Sequence, residues 1–113
     1  MTNQQYFLPM HHVAFIVYPG FELLDVSGPT AVFNGANRAL GQRERPAFYK
    51  VGLASAKGGA IESSSGVAVE TVAIAGLRPG DVQTMLVAGA EREPLLLAMA
   101  DPDLRTAIPG LAM

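Results

Sequence analysis

The apolar positions along the chain fall into two kinds of run. Residues 13–18 form an unbroken apolar stretch, VAFIVY, rich in β-branched and aromatic side chains and closed by Pro19 and Gly20. A run without alternation predicts a strand buried on both faces, as in a parallel sheet. Residues 48–55 and 85–88 predict two further core strands. Between those two, Ile61 and the VAV run at 67–69 flank the SSSG sequence at 63–66, the pattern of a small hairpin or β-arm. The other runs have helical spacing. Residues 21–26 predict a single turn, and SGP at 27–29 then punctuates the chain. A helix is expected over 29–40, with Pro29 in its first turn, where the missing N–H costs nothing, and Gly41 at its exit. Val32, Phe33, Ala36 and Leu40 make its packing face. Further on, Glu93 and Pro94 open a helix over 95–100. Asp101 and Pro102 open a short one over 104–108, which Pro109 and Gly110 end.

This order of elements predicts an α/β fold: a flavodoxin-like parallel sheet with helices on both faces and the β-arm as a decoration. Residues 1–11 read as a flexible leader and 12–113 as one folded unit. Three core strands make a thin sheet whose edge at 85–88 is under-covered. Exposed edges invite pairing with another chain, so a homodimer is expected.

Composition narrows the function. With 113 residues, half of them hydrophobic, the chain is one domain and too apolar to be disordered. Only 16% of its residues are charged, a lean supply that suits either a deeply buried sheet or a surface covered by something else. Eight Lys and Arg against ten Asp and Glu do not favour a nucleic-acid surface. Cysteine is absent, which excludes disulfides, thiolate metal sites and a cysteine nucleophile within these residues. The first apolar run is too short for a signal core or a membrane span, so a cytoplasmic protein without a membrane partner is expected. His11 and His12 are adjacent on a strand and point to opposite faces, so no metal site is expected of them. No P-loop, dinucleotide fingerprint or nucleophile-elbow pattern occurs, and no cofactor is expected.

The strongest local signal is YPGFELLDVSGP at 18–29, which places a turn after the first strand. In open α/β sheets ligands bind outside the carboxyl ends of strands. Glu22 and Asp25 lie three apart and share a face of a helical turn. In apolar surroundings Asp25 would stay protonated and donate a hydrogen bond. Alternatively, it caps the turn while Glu22 faces water.

Residues 13–37, with the motif above and Val32 and Phe33, resemble the opening of the ThiJ/PfpI superfamily, class I glutamine amidotransferase-like domains. Ala36, Asn37 and Arg38, the Gly58 and Gly59 turn, the 63–67 arm and MLVAGA at 85–90 are similar to the subgroup fused to AraC-type DNA-binding domains. The resemblance covers about residues 12–108. It implies that Asp25 corresponds to the family's acid beside a reactive cysteine, and that Gly89 and Ala90 correspond to its backbone N–H pair. The family's Pro-Gly-Gly is Ala88, Gly89 and Ala90 here, and the cysteine's position is not reached. The chain thus reads as the N-terminal part of such a domain, incomplete on its C-terminal side. The function implied is that of a ligand-sensing and dimerisation domain of an AraC-type transcriptional regulator. Asp25, Gly89 and Ala90 would bind a small-molecule effector, and DNA would be bound only through a domain outside these residues. The alternative is a fragment of an isonitrile hydratase-like or cysteine-hydrolase enzyme.

Overall fold

The computed structural model describes residues 10–112. Five strands, β1 (His11–Ile16), β2 (Tyr49–Ser55), β3 (Gly59–Glu62), β4 (Ala68–Ala73) and β5 (Thr84–Val87), form one sheet in the order β3-β4-β2-β1-β5. Three α-helices accompany them: α1 (Leu24–Gln42), α2 (Arg92–Ala100) and α3 (Pro102–Leu111). The ladders β1 with β2, β1 with β5, and β2 with β4 are parallel, and β3 with β4 is antiparallel.

β1 is an interior strand between β2 and β5, which explains its unbroken apolar run. It is paired on both sides, and Val13, Phe15, Ile16 and Val17 are at most 2% exposed. Register places Val13 beside Val51 and Thr84, and Phe15 beside Leu53 and Leu86, on the α1 face. There Phe33 of α1 packs against Tyr49, the rings tilted by 48° with centroids 4.9 Å apart. Ile16 lies in register with Ala54 and Val87 on the opposite face, where α2 and α3 contribute Leu95, Ala98, Leu104 and Ile108. Helices therefore cover both faces, as expected of a flavodoxin-like α/β fold.

Several boundaries differ from the sequence expectation. The turn at 21–26 and the helix from Pro29 are one helix, α1, with Pro29 in its interior. Pro29 removes the N–H that would bond to the Asp25 carbonyl, an interior position that ordinarily costs about 3 kcal/mol. The start of α1 is held by other means, with Asp25 and Ser27 amides bonded to the Glu22 and Leu23 carbonyls. Val32 is 70% exposed and lies off the packing face. Asn37 takes the inward position instead: its side chain accepts from the Phe48 and Tyr49 amides and donates to the Tyr49 carbonyl, splicing α1 to the start of β2. α3 runs through Pro109 and Gly110 to Leu111, because Leu104 and Leu111 bury its inner face. Its start matches expectation, since the Asp101 side chain accepts from the Asp103 and Leu104 amides as a helix cap.

The β-arm is no decoration. β4 joins the core sheet beside β2 through Ala54 with Val72 and Ser55 with Ala73. Ser55, 1% exposed, meets the Thr71 hydroxyl at 2.6 Å and accepts from the Gly58 amide, which ties the arm's root to β2. Gly58 has φ +78°, and a Cβ there would lie 2.9 Å from the Ala73 backbone nitrogen, so the turn requires glycine. The leader expected over 1–11 falls mostly outside the described residues, and His11 already belongs to β1. Its Nε2 meets the Thr84 hydroxyl at 2.7 Å, a side-chain bridge between β1 and β5. β5 is an edge strand, as expected, and Val87 on it is 52% exposed.

Candidate functional site

The carboxyl end of β1 runs into a tight turn held by backbone hydrogen bonds to three neighbouring segments. The Phe21 amide returns to the Tyr18 carbonyl, and the Gly20 amide donates to the Glu62 carbonyl of β3. The Phe21 carbonyl accepts from the Ser64 amide of the arm's turn. Phe21 also bridges Ala90, and the Glu22 amide donates to the Gly89 carbonyl. The side chain of Phe21 is fully buried beneath these contacts. The loop after β1 is thus clamped between the arm and the loop after β5.

Asp25, in the first turn of α1, completes the clamp. Its Oδ2 accepts the Gly89 amide at 2.8 Å. The structure therefore brings together the two residues expected to share a rim, although 64 positions separate them in the chain. A Cβ on residue 89 would lie 2.8 Å from that same oxygen, so the clasp requires glycine there. Ala90 follows directly and bridges Phe21.

Two details depart from expectation. Asp25 is exposed, not enclosed by apolar side chains, and it acts as an acceptor, because the group it meets is a backbone N–H. The Gly89 N–H is occupied by that acid, so Gly89 and Ala90 do not form a free donor pair. The adjoining cleft of about 300 Å³ is lined by Tyr18, Pro19, Ser55, Lys57, Pro94 and Asp101, and not by Asp25, Gly89 or Ala90. What the rim offers a ligand is mainly acceptor chemistry: Asp25 Oδ1, with Glu22 and Glu91 exposed on the two loops that meet there, and Arg92 and Glu93 exposed in the first turn of α2. Groups with N–H or O–H donors match it.

Tyr18 is the participant that sequence reasoning left in the core run. It is 3% exposed, and its hydroxyl donates to the Ala88 carbonyl, next to the clasp. Burial, and secondly the nearby Asp25 charge, push its phenol above the ordinary value of 10.0. The folded state thus favours the neutral phenol. That contribution is complete below pH 10 and is lost as pH rises through the raised folded value. Alkaline titration of stability is expected to fall above about pH 10, and Tyr18→Phe is expected to remove that component. The same variant leaves the Ala88 carbonyl without its donor and costs about 1–3 kcal/mol, measurable by urea unfolding at neutral pH. The only signal in the sequence was position: a tyrosine as last residue of a buried strand, with a hydroxyl that must find a partner.

Among the described residues no group of His, Asp and Glu could hold a metal ion, and no helix is long and apolar enough to cross a membrane. The SSSG run is a turn: the Ser63 amide donates to the Val67 carbonyl, and Gly66 has φ +88°.

No protein-family model matches the chain. Over 59 residues it is 41% identical to an uncharacterised protein in the cpoL 5′ region of Streptomyces lividans, covering 52% of this chain and 38% of that one. Among solved structures it is similar to a DJ-1 superfamily protein of Agrobacterium tumefaciens, with a TM-score of 0.61 and 17% identity over 91% of this chain and 48% of that one. It is also similar to an AraC family transcriptional regulator of Pseudomonas putida, with a TM-score of 0.70 and 20% identity over 90% of this chain and 58% of that one. The chain thus spans between about a third and three-fifths of the length of these relatives. Its α/β architecture is the fold that the DJ-1 superfamily protein and the AraC family regulator share with it.

Proposed function

We propose that this chain is the effector-sensing and dimerisation module of an AraC-type transcriptional regulator, acting without catalysis. One observation carries the reading: the Asp25 to Gly89 clasp, which joins the loops after β1 and β5 at the carboxyl end of the sheet. An effector that reaches Asp25 Oδ1 while Oδ2 keeps the Gly89 amide reinforces that bond, and so changes how the two loops are held together. The acid-rich rim favours an effector presenting hydroxyl, amide or amine donors. The structural likeness to an AraC family regulator supports this reading, and DNA would be contacted by a domain outside these residues.

A thermal-shift screen of small polyols, amides and amines supplies a hit for calorimetry. Asp25→Asn keeps an oxygen for the Gly89 amide and is expected to leave the fold intact. It should weaken the hit by about tenfold or more, the worth of one charge-assisted hydrogen bond. Unchanged affinity in the variant would contradict the reading.

A homodimer through the β5 edge fits the apolar surface around it. Val87 and Met99, which line one cleft, are each more than half exposed, and Leu95 lies beside them. Sedimentation velocity is expected to show a dimer at micromolar concentration, reduced to monomer by Val87→Lys. A monomer at all concentrations would exclude it.

A further inference from the structure

The net charge of −2 hides a strong asymmetry. Residues 26–61 hold five Lys and Arg and a single acid, Glu44, whereas the remaining positions hold nine acids and three arginines. Four of the five, Arg38, Arg43, Arg45 and Lys50, lie where α1 ends and β2 begins, at the opposite end of the parallel strands from the Asp25 clasp, while Lys57 follows β2 at the clasp end.

The chain leaves α1 through Arg43, Glu44 and Arg45, whose amides bond back to the Leu40 and Gly41 carbonyls. Glu44 takes φ +58°, the left-handed conformation of a helix exit, which a non-glycine residue adopts at a cost. This exit places Arg43 and Arg45 on one cleft of about 530 Å³, with Leu40, Pro46, Phe48 and Tyr49. The volume lies within the range of small-molecule sites. Of the terminal α1 carbonyls, which would repel an anion, those of Leu40 and Gly41 are taken up by the backbone bonds of the exit. Phe48 is 42% exposed, although its ring has His11 and Tyr49 for neighbours at 5.7 and 5.0 Å.

From this arrangement we propose that the cleft between the end of α1 and the start of β2 binds an amphipathic organic anion, a carboxylate or sulfonate on a body of one or two rings, held by Arg43 and Arg45 over Leu40 and Phe48. A bare inorganic anion would leave the apolar lining unfilled, and a neutral hydrocarbon would leave the guanidinium forks unused. Guanidinium matches a carboxylate with two parallel hydrogen bonds and also stacks on rings, so the pair selects both halves of such a ligand. This site is independent of the Asp25 rim.

The test is a titration of the full chain with 2-naphthoate, followed by amide NMR shifts, with neutral 2-naphthol as the matched probe. Naphthoate is expected to shift Leu40, Arg43, Arg45, Phe48 and Tyr49, and to bind about tenfold or more tightly than naphthol. The double variant Arg43→Gln with Arg45→Gln changes only exposed side chains and should keep the fold, which its spectrum reports. It is expected to lose that preference, with naphthoate falling to the affinity of naphthol. Added salt should weaken naphthoate alone. Equal naphthoate affinity in both proteins, or shifts confined to the Asp25 rim or the α2 and α3 cleft, would overturn the proposal. Shifts at the same residues on concentrating the protein alone, abolished in the double variant, would overturn it in favour of a second copy occupying this face.

Discussion

Gly20→Ala is expected to destabilise the fold by about 3 kcal/mol, lowering the melting temperature by roughly 10 °C. Two costs combine. Gly20 has φ +86°, a left-handed backbone that costs an L-residue about 1–2 kcal/mol. Its added Cβ would also lie 2.8 Å from Pro94 Cβ and 2.9 Å from Pro94 Cγ. A proline ring inside α2 has no rotamer to escape into, so the helix or the turn must shift, at about 1–3 kcal/mol for overpacking. The Gly20 amide is bonded to the Glu62 carbonyl, so the shift spreads into the arm. Thermal unfolding of the two proteins measures the sum. Gly20→Ala in a Pro94→Gly background, compared with Pro94→Gly alone, separates the parts, because removing both contacting carbons should recover the packing cost but not the backbone cost.

Gly89→Ala is expected to act on the site more than on the fold. Its Cβ would meet the Asp25 carboxylate, a side chain that can swing away, so the clasp opens while the backbone stays. Loss of a hydrogen bond to a charged acceptor costs about 1.5–3 kcal/mol. Effector binding at the rim should fall below detection in calorimetry, because the two loops are no longer joined through Asp25. A double-mutant cycle isolates the cause. In an Asp25→Ala background the new methyl has nothing to displace, and Gly89→Ala should then cost little. An undiminished cost there would show that the methyl disturbs something other than the clasp.

How far the fold was legible follows from what each residue's environment demands. β1 was readable because a strand paired on both sides buries both faces, and a continuous apolar run has no other good use. The arm's turn was readable from SSSG, and the caps at Asp101 and Pro102 from local hydrogen-bonding chemistry. Pro29 misled because proline punctuates helices by local rules, whereas here the helix begins before it and tertiary contacts hold it. The same holds for Pro109 and Gly110, which α3 absorbs because Leu111 is buried beyond them. Joining β4 to β2 through only two residue pairs left no periodic trace in the sequence. At the site, residue types and rough location were legible, since Asp25 and Gly89 each follow a core strand. That Gly89 donates to Asp25, leaving no free donor pair, depends on a 2.8 Å approach that no spacing reveals.

A single carboxylate joins the two strand-end loops. The Gly89 amide resonance reads it directly, in the native protein and in Asp25→Ala. The expected result is a downfield, slowly exchanging amide proton that moves upfield and exchanges faster in the variant, while Val13 and Phe15 amides in β1 stay put. A Gly89 amide that is indifferent to the loss of Asp25 would contradict the account.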